Sequence, residues 1–132
     1  MRKIGPRSVR IPVPSRGKIL YCENDPHVLN TESTIFEHAG YAVDHARGRS
    51  AAEQSMGTAS YDVVVLGHTL SKDDRHHLAY MAKKSGTTTR VLVLHASGKH
   101  PAVDLAIDSR EGAKAVLAAL NSLAEQRLLA AV

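Results

Sequence analysis

From residue 18 onward, short runs of Val, Leu and Ile alternate with longer stretches whose apolar positions recur every three or four residues. Gly, Pro, Asn or Asp separate them. The short runs suit strands buried on both faces and the longer stretches suit amphipathic helices, so the alternation predicts repeated βα units. A first strand is placed at Lys18 to Cys22, followed by Asp25 as a helix cap and Pro26 as a residue preset for the first turn. The first helix then runs from Pro26 to His38 and presents Val28, Leu29, Ile35, Phe36 and Ala39, with Gly40 placed to end it. A second strand at Ala42 to His45 leads to a short helix from Ser50 to Met56. Asp62 to Leu66, with Val63, Val64, Val65 and Leu66 in a row, is the clearest central strand. Ser71 caps a third helix carrying Leu78, Met81 and Ala82.

The rhythm breaks after the fourth strand, Arg90 to Leu94. Only the segment from Ala96 to Pro101 precedes a fifth strand at Val103 to Ile107, whereas a helical crossover between parallel strands takes a dozen residues or more. Fully extended, the eight steps from His95 to Val103 reach about 28 Å, enough to climb back beside a strand of about 17 Å. Parallel pairing is therefore allowed, but a helix at that point is missing or much shortened, and one face of the last two strands is expected to lack cover. Ser109 is placed as the cap of a final helix through Leu129, whose Ala113, Val116, Leu117, Leu120, Leu123, Ala124 and Leu128 form a stripe that something must cover.

Residues 1–16 read differently, with Pro6, Pro12, Pro14 and Gly5 set among arginines, and form a basic extended arm before a domain spanning 17–132. Charge sharpens this division. Arg2, Lys3, Arg7, Arg10, Arg16 and Lys18 hold six of the 17 basic residues, and no acid precedes Glu23. The remaining eleven bases meet thirteen acids, so the folded part is mildly acidic and the net charge of +4 is no footprint of a nucleic-acid-binding domain. The arm alone could touch phosphates, and binding of that kind would weaken with salt. A chain of 132 residues with 43% hydrophobic and 23% charged residues is sized for one globular domain. No apolar stretch approaches the ~20 residues of a spanning helix and no secretory signal is visible, which places the chain in the cytoplasm. The single cysteine, Cys22, lies in a strand pattern and reads as a buried, inert thiol.

Four segments together resemble the receiver domain of bacterial two-component response regulators: ILYCENDP at 19–26, HAGYAVDHA at 38–46, YDVVVL at 61–66 and VLVLHA at 91–96. The resemblance implies a flavodoxin-like three-layer α/β sandwich around a five-stranded parallel sheet of order 2-1-3-4-5, with the site at the carboxyl ends of the strands. It also implies a pocket that has lost its chemistry. Glu23 and Asn24 stand at the acid pair that would hold magnesium, Gly67 at the phosphoacceptor, His95 at the hydroxyl residue and Asp108 at the lysine. Glycine carries no nucleophile, and Asp62, the nearest acid on that strand, is about 16 Å away by strand rise. Asp108 beside Glu23 is expected to repel an anion.

The expectation is a pseudo-receiver that is not an enzyme, needs no cofactor and works as an adaptor in phosphorelay signalling. Its partner would be a protein, bound through the face formed by strands four and five and the last helix, where a homodimer would also fit. No output domain is expected beyond that helix. Two other readings stand beside this one. Glu23, His68, His95 and Asp108 all fall at strand ends, and imidazole with carboxylate suits a zinc-like metal or another ligand acting as a switch. The basic arm gives the nucleic-acid reading. His76 and His77 are adjacent on one helix, do not form a chelating pair and read as surface residues.

Overall fold

The computed structural model describes residues 16–130 apart from 87 and 98. Five strands form one sheet of order β2-β1-β3-β4-β5: β1 (Lys18–Glu23), β2 (Ala42–Arg47), β3 (Val63–Leu66), β4 (Arg90–Val93) and β5 (Leu105–Ala106). All four pairings are parallel. The α-helices among the described residues are α1 (Pro26–His38), α2 (Gly48–Thr58), α3 (Lys72–Ser85) and α4 (Ala113–Ala130). The architecture is the flavodoxin-like sandwich that the resemblance to receiver domains implies.

Alternation along the strands sorts the core into two layers. Val63 and Val65 of β3 join Ile19, Tyr21, Leu92 and the apolar faces of α1 and α4, while Val64 and Leu66 join Leu20, Cys22, Val91, Val93 and α2 with α3. Each side chain of β3 is at most 1% exposed, as a central strand between two helical layers requires. Helix α1 starts where expected because the Asp25 carboxylate accepts the amides of His27 at 2.8 Å and Val28 at 3.3 Å. It ends before Gly40, whose φ of +104° suits glycine. Ser71 caps α3 by accepting the Asp74 amide at 3.1 Å. Helix α2 is longer than the sequence pattern suggests, because Gly48 at φ +81° lets the chain turn directly from β2 into the helix.

Two expectations need correction. The cap at the start of the last segment is Asp108 rather than Ser109. Its carboxylate accepts the Arg110 amide at 2.9 Å and opens a 3-10 turn over Ser109–Glu111, after which Gly112 at φ +102° admits α4. Within α4, Val116, Ala119, Leu120, Leu123 and Ala124 are buried, whereas Ala113 is exposed and Leu128 is 56% exposed. From Val116 to Ala124 the stripe seals against the sheet, for roughly two turns, and then runs off its edge.

Among the described residues no helix stands between β4 and β5. The uncovered sheet face expected there does not follow, because Ala102 and Val103 of the connecting segment fold back onto the α2/α3 layer and leave Val91 and Val93 at most 1% exposed. Asp104 fixes this segment. Its amide donates to the Val91 carbonyl at 2.9 Å and its carboxylate accepts the Val91 amide at 2.7 Å, meeting Lys83 at 2.5 Å and Arg90 at 3.5 Å. Asp104→Ala is expected to cost about 2 kcal/mol, because it strands the Val91 amide and leaves the Lys83 ammonium with only the Thr89 carbonyl. Urea denaturation would measure that loss, and amide exchange should place it at β5.

Of the arm expected over residues 1–16, all but Arg16 lies outside the described residues. The amide of Arg16 donates to the Gly40 carbonyl at 2.9 Å, continuing the β1–β2 ladder.

Candidate functional site

The carboxyl ends of β1, β3 and β4 bring the sequence-predicted residues to one end of the sheet. Glu23, the last residue of β1, is 0% exposed, which is unusual for a carboxylate. Its burial is matched by donors. Tyr21 donates its phenolic hydrogen to Oε2, and Thr69 donates twice to Oε1, from its amide at 2.9 Å and from Oγ1 at 2.6 Å. Burial first, and then the neighbouring carboxylate, push the Tyr21 phenol far above its ordinary range, so it stays protonated and remains a donor. Nδ1 of His68 lies 3.9 Å from Oε2.

The carboxylate of Glu23 lies directly over Gly67. A Cβ placed on Gly67 would stand 1.8 Å from Cδ of Glu23 and 2.0 Å from each of its carboxylate oxygens. The space that any side chain at the end of β3 would enter is thus filled from the neighbouring strand. Gly67 is required here by close approach and not by an unusual φ, and its amide donates to the Cys22 carbonyl at 2.8 Å, holding the two strand ends together.

Thr69, which the strand pattern gave no reason to single out, links the two loops at this end. While donating to Glu23, its hydroxyl accepts the amides of Asn24 at 2.7 Å and Asp25 at 3.1 Å. The loops after β1 and after β3 are therefore tied through one oxygen. Asn24 itself is exposed and enters this network by its backbone. Two cations were also missed. Arg75 of α3 is buried, donates from Nη1 to the Leu70 carbonyl at 2.6 Å and feels the charge of Glu23, although burial still lowers its pKa. Arg110 pairs with Asp108 at 2.6 Å, and that pairing holds the Asp108 carboxyl down at about 2.

Beside this network His68, Leu94, His95, Ala96, Asp108, Ser109 and Arg110 line a cavity of about 420 Å³. Asp108 is half-buried and spends its oxygens on Arg110, so the uncompensated negative pocket expected from Glu23 and Asp108 does not exist. The metal set of Glu23, His68, His95 and Asp108 is not assembled either. Nδ1 of His95 accepts the Ser97 amide at 3.1 Å, Asp108 serves Arg110, and only His68 approaches Glu23. Among the described residues no group of three or more His, Cys, Asp or Glu side chains is placed to hold a metal ion.

Three other expectations resolve around this site. Cys22 is fully buried, and burial followed by the charge of Glu23 pushes its thiol up, which makes it unreactive. Asp62, at the far end of the sheet, is committed to Arg127 at 3.0 Å and to the Lys18 amide at 2.7 Å. His76 and His77 are not free surface residues: His77 meets Glu53 of α2 at 2.6 Å, and His76 packs on His100 with ring centroids 4.4 Å apart.

The signal receiver domain of an HD domain-containing protein from Pseudomonas fluorescens superposes with a TM-score of 0.71 at 16% identity, covering 90% of this chain and 94% of that one. This chain has the receiver-domain fold. A response regulator receiver protein from Sinorhizobium medicae gives a TM-score of 0.72 at 18% identity over 83% of this chain and 95% of that one. A CheY-like receiver domain protein from Methanospirillum hungatei gives 0.72 at 17% over 83% and 94%. No protein-family model matches the sequence, and comparison with curated proteins gives no match. Among the described residues no helix is long and apolar enough to cross a membrane.

Proposed function

We propose that this chain is a receiver-type signalling module that works without aspartyl phosphorylation, as a non-enzymatic adaptor that binds a protein partner. The observation that carries this reading is the Glu23 carboxylate lying over Gly67. The position from which a receiver-fold protein would present an acceptor has no side chain, and the volume an acyl phosphate would need is occupied by a buried acid with its hydrogen bonds filled. Glu23 itself is a poor substitute acceptor, since an attacking oxygen needs access and this residue is 0% exposed. The loops at this end are tied to each other through Thr69 by the chain's own groups.

The partner surface is assigned to the outer end of the sheet and the last helix. Leu105 on the edge strand, with Leu128 and Leu129 at the end of α4, are exposed apolar residues at 37%, 56% and 76%. A second copy of the chain is one occupant that this surface would suit.

The test of the phosphorylation claim is direct. The protein is incubated with acetyl phosphate and magnesium, beside a receiver domain that carries its aspartate, and both are weighed by intact mass spectrometry under conditions that preserve acyl phosphates. Unmodified mass is expected for this chain and a phosphoryl adduct for the control. A stoichiometric adduct on any acid of this chain would falsify the reading.

A further inference from the structure

The connection that replaces a helix between β4 and β5 is shaped by imidazoles acting as hydrogen-bond acceptors. Nδ1 of His100 accepts the Ala102 amide at 3.1 Å, just as Nδ1 of His95 accepts that of Ser97 at 3.1 Å. Each bond closes the kind of turn that Asn and Asp side chains make with the amide two residues on. A ring nitrogen accepts only while it carries no proton, so these turns require neutral histidine. His100 has a second constraint: its ring lies on that of His76 from α3, with centroids 4.4 Å apart and planes tilted by 31°.

The surroundings oppose protonation of His76. On α3 the charges facing His76 are Lys72, Arg75 and Asp73, and across the contact stands His100. Lys99 and Asp104 line the cavity that His100 shares, and Asp104 is already engaged by Lys83 and Arg90. Burial, then His100, Lys72 and Arg75, lower the pKa of His76 from its ordinary value of 6.5, against the smaller opposing effect of Asp73. A lowered folded-state pKa means that the unfolded chain binds more protons. The stabilisation from the neutral His76 is therefore complete above about pH 6.5 and is lost as pH falls below it. Directly beneath the turn, Ala102 and Val103 pack on the core layer formed by Val91, Val93 and α3.

We propose that the segment from Lys99 to Asp104 is a proton-sensitive cover: protonation of His100 breaks its turn and drives it from His76, baring the apolar side of β4 and β5 that Ala102 and Val103 shield. Whether the bared surface changes partner binding rests on the reading given above, but the opening itself does not.

Amide hydrogen exchange of the full chain, followed residue by residue at pH 8 and pH 5.5 and corrected for intrinsic rates, separates the possibilities. The Ala102 and Val103 amides are expected to lose at least tenfold protection at pH 5.5 while the Val65 amide in β3 keeps its own. His100→Asn supplies an uncharged acceptor for the same turn and is expected to hold protection at both pH values. His77→Gln, which alters only the pair with Glu53, is expected to respond like the unaltered protein. Equal loss in His100→Asn, no loss in the unaltered protein, a response abolished by His77→Gln, or loss of Val65 protection in parallel would each overturn the proposal. Phosphoryl transfer and partner capture are not read by this measurement, so its failure leaves the adaptor reading standing and the converse also holds.

Discussion

Gly67→Ala is expected to destabilise the protein by at least ~3 kcal/mol, a fall in Tm on the order of 10 °C, although it adds one methyl group. Most glycine-to-alanine changes on a strand are mild, because the new Cβ enters free space. Here it would enter the Glu23 carboxylate at 2.0 Å or less. Either the carboxylate leaves, abandoning Thr69 and Tyr21 and seeking another buried position, or the ends of β1 and β3 part and lose the bond from the Gly67 amide to the Cys22 carbonyl. Glu23→Ala alone should cost ~2 kcal/mol by stranding its donors. The double variant should then be no less stable than Glu23→Ala within ~0.5 kcal/mol, since the methyl group now has room. Thermal and urea denaturation of the four proteins measures this cycle. Simple additivity of the two losses would show that the two groups do not compete for one volume.

The other large effect separates core from surface on α4. Leu123 is 1% exposed and packs in the layer with Leu92 and Leu120, so Leu123→Asp buries an unpaired charge and should cost ~4 kcal/mol or more, leaving little folded protein. Leu128 lies one turn and a half further on and is 56% exposed, so Leu128→Asp should change stability by no more than ~0.5 kcal/mol. If α4 carries the partner surface, Leu128→Asp should abolish self-association or partner capture while circular dichroism stays unchanged. Light-scattering mass measurement with denaturation distinguishes the two variants. A folded Leu123→Asp protein would contradict the placement of that residue in the core.

The alternation of strands and helices was readable because the signals of a repeated βα pattern are local, whereas the order of the strands came only from the resemblance to receiver domains. A row of four apolar residues such as Val63 to Leu66 has one comfortable place, the middle of a sheet covered on both sides. Asp25 and Pro26 mark a helix start through their own backbone geometry. The missing helix was readable for the same kind of reason, since counting residues between two strands limits what can fill the gap. What filled it was not readable. Ala102 and Val103 resemble any loop alanine and valine until the fold returns them to the sheet, and His100 gains a role only when α3 sets His76 against it.

The candidate site divides along the same line. That no carboxylate hangs from residue 67 is a matter of residue identity and was legible before any folding, as were the βα alternation and the mild charge of the folded part. It took the tertiary fold to place the carboxylate of Glu23 over Gly67 and to let Thr69 join the loops after β1 and β3, while Asp108 turns to Arg110 through a local cap that the pattern had assigned to Ser109. The reason is physical. Strand periodicity fixes the face on which a side chain emerges, but where a flexible acid comes to rest depends on which donors reach it, and for Glu23 the donor that ties the loops, Thr69, is 46 residues away.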